Sequence, residues 1–216
     1  MSEVVKTYKL DDLDQPIPMD RKEFYDEQVK VFKKTGKTSK AIEVVQVLLF
    51  TTDKEVILQK RSNTKYHNPS FLDKTMGGHV KFGDSLTYTV MVESLQEVSV
   101  PSIVLNTNED FVKTYKLLDN QLENLAVIEY IDSRTYNSKK MINDEEILIA
   151  DKYHFYLGVY NGSLKPSDKE ASGLIYFKYD EFEKELSKAP GMFTEDLKFF
   201  LREYHSEIDK FLDNLG

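Results

Sequence analysis

Glu93 and Glu97 stand four residues apart with Gln96 beside them, the grouping in this chain whose residue types and spacing best suit chemistry. On a helix the two carboxylates share one face. Around them runs Gly77-Gly78-His79-Val80-Lys81-Phe82-Gly83-Asp84, followed by SLTYTVMVESLQEVSVP. Its period is ambiguous. TYTVMV alternates as a strand would, and its β-branched residues lower helix propensity. Ser85 can cap a helix and Pro101 can mark its end, which puts helix slightly ahead. Taken alone, two glutamates at this spacing form an ordinary solvated face.

Composition removes several other chemistries. The chain contains no cysteine, which excludes disulfides, thiolate metal sites and a cysteine nucleophile, and makes a reducing, cytoplasmic home the default expectation. Lys plus Arg number 29 against 37 Asp plus Glu, a formal charge of −8. Broad nucleic-acid binding needs a basic surface and is not expected. No run approaches the ~20 apolar residues of a membrane span. MSEVVKTYKLDD lacks the layout of a secretory signal. A length of 216 residues suits one α/β or α+β domain.

The elements that must position the glutamates follow from period and punctuation. Residues 41–51 form a β-branched apolar run, the pattern of a buried strand, and EVILQKR after the turn at Thr52, Asp53 and Lys54 completes a hairpin. Residues 62–76 read as a loop. Residues 108–120 are expected to be helical. AVIEYI, KYHFYLGVY and GLIYFKY are expected strands, the second ended by Asn161-Gly162. Asp180 and Glu183 suggest a capping box opening a short helix that stops at Ala189-Pro190-Gly191. Leu197, Leu201, Tyr204, Ile208 and Phe211 line one face of a final helix capped by Thr194 and packed on the core.

Gly78, Asp84, Glu93, Glu97 and Val100 keep a spacing that resembles the Nudix signature: Gly, five residues, Glu, seven residues, Arg-Glu, aliphatic, any, Glu-Glu, any, Gly, aliphatic. Asp84 replaces the first Glu, Val92 the Arg, Gln96 one Glu and Ser99 the last Gly. The resemblance implies a Nudix fold, an α/β/α sandwich around a mixed β-sheet. It also implies that Glu93 and Glu97, with the Gln96 amide and the Gly77 carbonyl, hold Mg²⁺ or Mn²⁺ on a diphosphate. The base is then expected at Glu93, or at Glu97 through a bound water. The departures predict weaker metal binding by fewer ions. Gln96 removes a charge, and Val92 removes a guanidinium whose orienting role is typically worth ~10- to 100-fold. Ser99 costs about 1 kcal/mol if a left-handed helix end is kept.

Residues 57–80, ILQKRSNTKYHNPSFLDKTMGGHV, are similar to the isopentenyl-diphosphate isomerase branch of that superfamily, in which Arg61 and Lys65 would match a diphosphate-binding pair. Isomerase activity is not expected: Gly77 stands where the proton-transferring Cys belongs, and no His precedes His67 to build the isomerase metal site. His79 matches a metal-binding His of that branch. Glu170 is a further candidate ligand or base, weighed against a plain surface role, and Asp84 a further site residue. Tyr66, Phe82 and Tyr88 are expected in the core before any base stacking.

The expected organisation is an N-terminal extension over residues 1–39 within the same domain as a Nudix unit over 40–216. The expected activity is Mg²⁺-dependent hydrolysis of a nucleoside diphosphate or related small-molecule diphosphate. The alternative is a Nudix fold that has lost turnover and binds a nucleotide or a protein. Substrate identity and oligomeric state are not legible.

Overall fold

The computed structural model describes residues 3–65, 68–142, 145–166 and 171–215. An N-terminal hairpin, β1 (Val4–Lys9) and β2 (Asp12–Asp20), leads into helix α1 (Arg21–Thr35). Strands β3 (Lys40–Phe50), β4 (Glu55–Arg61), β5 (Leu72–Asp73) and β6 (Met76–His79) follow, then helix α2 (Leu86–Val98). Beyond it lie β7 (Ser102–Leu105), α3 (Asn108–Leu117), β8 (Ala126–Ile142), β9 (Glu145–Val159) and β10 (Ala171–Lys178). Helices α4 (Tyr179–Lys188), α5 (Glu195–Glu203) and α6 (His205–Asn214) close the chain. No helix among the described residues is long and apolar enough to cross a membrane.

The main path of the sheet runs β10-β4-β3-β9-β8-β7, with β1 and β6 both attached to β3. Strands β3 and β9, and β7 and β8, pair in parallel and the rest antiparallel. β3 is the spine because both its faces are apolar. Ile42, Val44, Leu48 and Phe50 join a core with Phe111, Phe200 and Phe211, whereas Val45, Val47 and Leu49 meet Met76, Val80 and the Val90 and Val98 side chains of α2. Helices therefore cover both sides of a mixed sheet, as a continuous buried strand requires.

Packing on that second face also decides the ambiguous segment. Val90, Ser94 and Val98 recur every four residues and are buried, so the helical period prevails over the alternation of TYTVMV. Ser85 Oγ caps α2 by accepting from Tyr88 N–H at 3.1 Å. Ser99 ends it in the left-handed conformation at φ 59°, the geometry for which glycine carries no steric cost.

Several expectations need correction. The final helix is two, α5 and α6, broken at Tyr204 (φ −120°, ψ 25°), which buries its ring against Phe155 and donates from its hydroxyl to Asp132. Thr194 does cap α5, accepting from Leu197 N–H. The Asp180–Glu183 capping box does not form: Lys178 is the N-cap and makes no side-chain cap bond, because α4 starts two residues before Asp180 could close it. The 62–76 segment includes β5, which pairs with β4. Phe82 and Tyr88 are exposed rather than packed in the core, since α2 turns Val90 and Val98 inward instead. Tyr66 lies outside the described residues.

Candidate active site

Strand β6 pairs only with β3 among the described elements, Gly77 opposite Gln46 and Gly78 opposite Val45. Successive strand residues address opposite faces of a sheet, and here the two glycines admit a different side chain on each. A Cβ on Gly78 would collide with the Glu93 carboxylate, which crosses that face from α2. A Cβ on Gly77 would lie 2.9 Å from Lys74 Cε and 2.6 Å from Val45 O on the other. The missing Cβ atoms let a carboxylate and an ammonium stem approach the same two residues of backbone from either side.

Around this strand lies a cavity of about 250 Å³. Glu93, Gln96 and Glu97 line it from α2, Arg61 from the end of β4, Lys65 from the loop that follows, and Gly77, Gly78 and His79 from β6 itself. These side chains, separate in sequence, thus share one space. Glu97 is buried and accepts from Gly77 N–H at 3.4 Å. Arg61 is already engaged: its Nε donates to Asn68 O at 3.2 Å and a terminal nitrogen to Asp73 Oδ2 at 3.0 Å. Asp84 is not among the lining residues; it sits in the turn before α2, where its backbone carbonyl accepts from Lys6 Nζ. Glu170 lies outside the described residues.

Sequence reasoning missed a second set of lining groups. Tyr25 of α1 shares a hydrogen bond with His79 Nε2 at 3.0 Å, so the N-terminal extension forms part of the wall. Lys74, Lys140 and Asp196 come from the β5–β6 link, β8 and α5. Lys140 Nζ lies 2.8 Å from Asp151 Oδ1 and 5.9 Å from the centre of the Tyr25 ring. Asp151 also accepts from Ser138 and Tyr153. Asp73 accepts from the Thr194 hydroxyl at 2.7 Å, which pins the start of α5 to this network. No sequence motif announces these residues. Asp196 looks like the usual acidic first turn of a helix, and Lys140 like one of two lysines on a strand.

The environments of the two cavity aspartates diverge. Burial alone would raise the Asp73 carboxyl, but Lys74, Arg61 and the Thr194 hydrogen bond overcome it and hold Asp73 below the usual aspartate range. Asp196 goes the other way: burial raises it, Asp151 and Asp73 add to the rise, and Lys140 and Lys74 oppose without prevailing. Burial would lower Lys140, yet Asp151, Tyr25 and Asp196 lift it above the ordinary lysine value.

No family model matches the chain, and no curated protein matches it by sequence. Solved structures do match. The fold is similar to that of DR0079 from Deinococcus radiodurans, with a TM-score of 0.60 at 13% identity, over 93% of this chain and 98% of that one. It is also similar to a bifunctional NMN adenylyltransferase/ADP ribose pyrophosphatase of Francisella tularensis, solved with AMP and a Mn ion (TM-score 0.51, 9% identity, 87% of this chain and 47% of that longer chain). A MutT protein from Methanosarcina mazei Go1 matches at TM-score 0.50 and 16% identity, over 79% of this chain and 94% of that one. At such identities the likeness establishes the fold, a Nudix-type α/β/α sandwich around a mixed sheet.

Proposed function

We propose that the protein hydrolyses a diphosphate bond in a nucleoside diphosphate or related small molecule, with Mg²⁺ or Mn²⁺ as cofactor. The observation that carries this reading is the gathering of Glu93, Gln96, Glu97 and Gly77 in one cavity with Arg61 and Lys65. The donor set fits a hard cation: two carboxylates, an amide carbonyl and a backbone carbonyl are all oxygen ligands. Among the described residues no group of three or more His, Cys, Asp or Glu stands ready to hold a metal. Two carboxylate charges would hold the cation, and Gln96 would add a neutral oxygen in place of a third. The Mn ion bound with AMP in the Francisella protein is in keeping with this chemistry.

Bound there, the cation would neutralise the diphosphate and acidify an attacking water. The chain's own residues do the rest. Glu93 and Glu97 hold the cation beside β6. Lys65 supplies a point charge to the phosphates, and Arg61, oriented by Asp73, supplies directed donors. Charge supports the anionic substrate. Among the described residues five basic and five acidic side chains line the cavity, so a divalent cation would add positive charge to them.

Phosphate release from a panel of nucleoside diphosphate compounds, with Mg²⁺ or Mn²⁺, tests the reading. Metal-dependent release is expected, falling by ~100-fold or more in Glu97→Gln, since even residues that only orient metal ligands are worth ~10- to 100-fold. Silence across the panel with nucleotide binding retained would replace the hydrolase by a binding module.

A further inference from the structure

Asp196 lines the same cavity as Glu93 and Glu97 but is delivered by a different element, the first turn of α5. That turn is fixed. Thr194 caps the helix while its own hydroxyl donates to Asp73, and Leu197 and Phe200 are fully buried beneath it. The groups that act electrostatically on Asp196 come from several elements: Lys140 on β8, Asp151 and Tyr153 on β9, Asp73 and Lys74 before β6, and Tyr25 on α1.

The other carboxylates here are committed. Asp73 serves Arg61, Lys74 and Thr194. Asp151 serves Ser138, Lys140 and Tyr153. Glu93 lies against bare Gly78 and Glu97 accepts from Gly77, the positions from which they would hold the cation. A ligand's lone pairs are spent on the metal, and a carboxylate saturated by donors is a poor proton acceptor. One cavity that drives two aspartates in opposite directions separates a structural carboxylate from one suited to proton transfer.

We propose that Asp196 is the general base of the hydrolysis, a role otherwise expected of Glu93 or Glu97; the assignment rests on the hydrolase reading. The oxygen of water forms a bond to one phosphorus, and the bridging P–O bond breaks with its electron pair leaving on the departing phosphate. One proton of the water passes to the Asp196 carboxylate and the other stays on the new phosphate hydroxyl. Lys140 and Lys74, whose charges favour the carboxylate over the acid, act as positioning residues.

The experiment follows kcat, KM and Mn²⁺ affinity against pH for the full chain, using the substrate that ranks first in the panel. Asp196→Asn is expected to lower kcat by ~100-fold or more, the scale of general-base losses, with KM and Mn²⁺ affinity within about twofold and the acid limb of the profile gone. Asp196→Glu should recover part of the rate. Lys140→Met should move the acid limb to higher pH, because it removes a charge that favours the carboxylate. In metal-free protein, a carboxyl NMR titration should find Asp196 above the ordinary aspartate value. An Asp196→Asn enzyme within threefold of wild type, or a limb unmoved by Lys140→Met, overturns the assignment while Glu97→Gln still reports on the hydrolase. A silent wild-type protein overturns both.

Discussion

Two buried charge clusters flank β3, and only one opens on the cavity. The first joins Asp73, Lys74, Lys140, Asp151 and Asp196. The second joins Glu43, on the opposite face of β3, to His154 Nε2 at 2.9 Å, to Lys6 at 3.6 Å and to Lys152 at 3.9 Å. Burial would raise Glu43, but His154, Lys6 and the Tyr8 hydroxyl overcome it and hold Glu43 below the usual range. Similar side chains thus reach opposite results. The Glu43 cluster ties β1, β3 and β9 together and does not line the cavity. In the first cluster burial outweighs the opposing Lys140 and Lys74 charges at Asp196, and that carboxyl faces the cavity. The difference teaches that burial of charge alone does not mark a site; a carboxyl raised by its surroundings on a cavity wall is the better marker.

This contrast can be broken by mutation. The largest effect is expected from Glu43→Gln, which leaves His154 and Lys6 without their shared anion. Removing one partner of a buried pair costs about 3–5 kcal/mol, a fall in Tm of about 10 °C for a domain of this size, measurable by calorimetry at pH 7. Acid unfolding gives the next test. Because Glu43 is shifted down on folding, its stabilisation is present above the unfolded value near 4.5 and is lost as pH falls through the lower folded one. The stability of wild type should therefore drop more steeply below pH 4.5 than that of Glu43→Gln.

The smallest effect has the opposite sign. Asp196 is shifted up on folding, so its ionised form destabilises the protein above its folded pKa and ceases to do so once it is protonated. Asp196→Asn is expected to raise Tm by about 2–4 °C at pH 7, the equivalent of ~1 kcal/mol, with the gain fading under acid conditions. A loss of Tm at pH 7 would place Asp196 with the structural carboxylates and erase the contrast.

Much of the scaffold was legible because local rules and tertiary packing agree in it. The predominantly apolar, β-branched sequence of β3 reports burial on both faces, and Ser85 and Thr194 cap the helices they precede. The spacing of Glu93 and Glu97 brought them to one cavity, as an i, i+4 pair on α2 must. What stayed hidden depends on topology. Arg61 reads as an available phosphate ligand until β5 brings Asp73 beside it. Tyr25, Lys140 and Asp196 meet only because α1, the long β8–β9 arm and α5 converge, and no short-range pattern encodes that meeting. The split at Tyr204 was equally silent, since the apolar residues keep helical spacing across the break.

The N-terminal hairpin and α1 also bear on where this molecule can be cut. β1 hydrogen-bonds to β3 from Thr7–Ile42 to Lys9–Lys40, and α1 contributes Tyr25 and Arg21 to the cavity. A fragment beginning at residue 40 would keep the glutamate helix and most of the sheet, yet it would present a bare strand margin, the feature through which chains associate edge to edge, and a cavity short of one wall. The glutamate helix and the leading segment therefore travel as a single heritable unit: any rearrangement that recombined residues 40–216 with a foreign N-terminus would have to supply a new strand, a new aromatic hydroxyl for His79 and a new counterpart of Arg21 together.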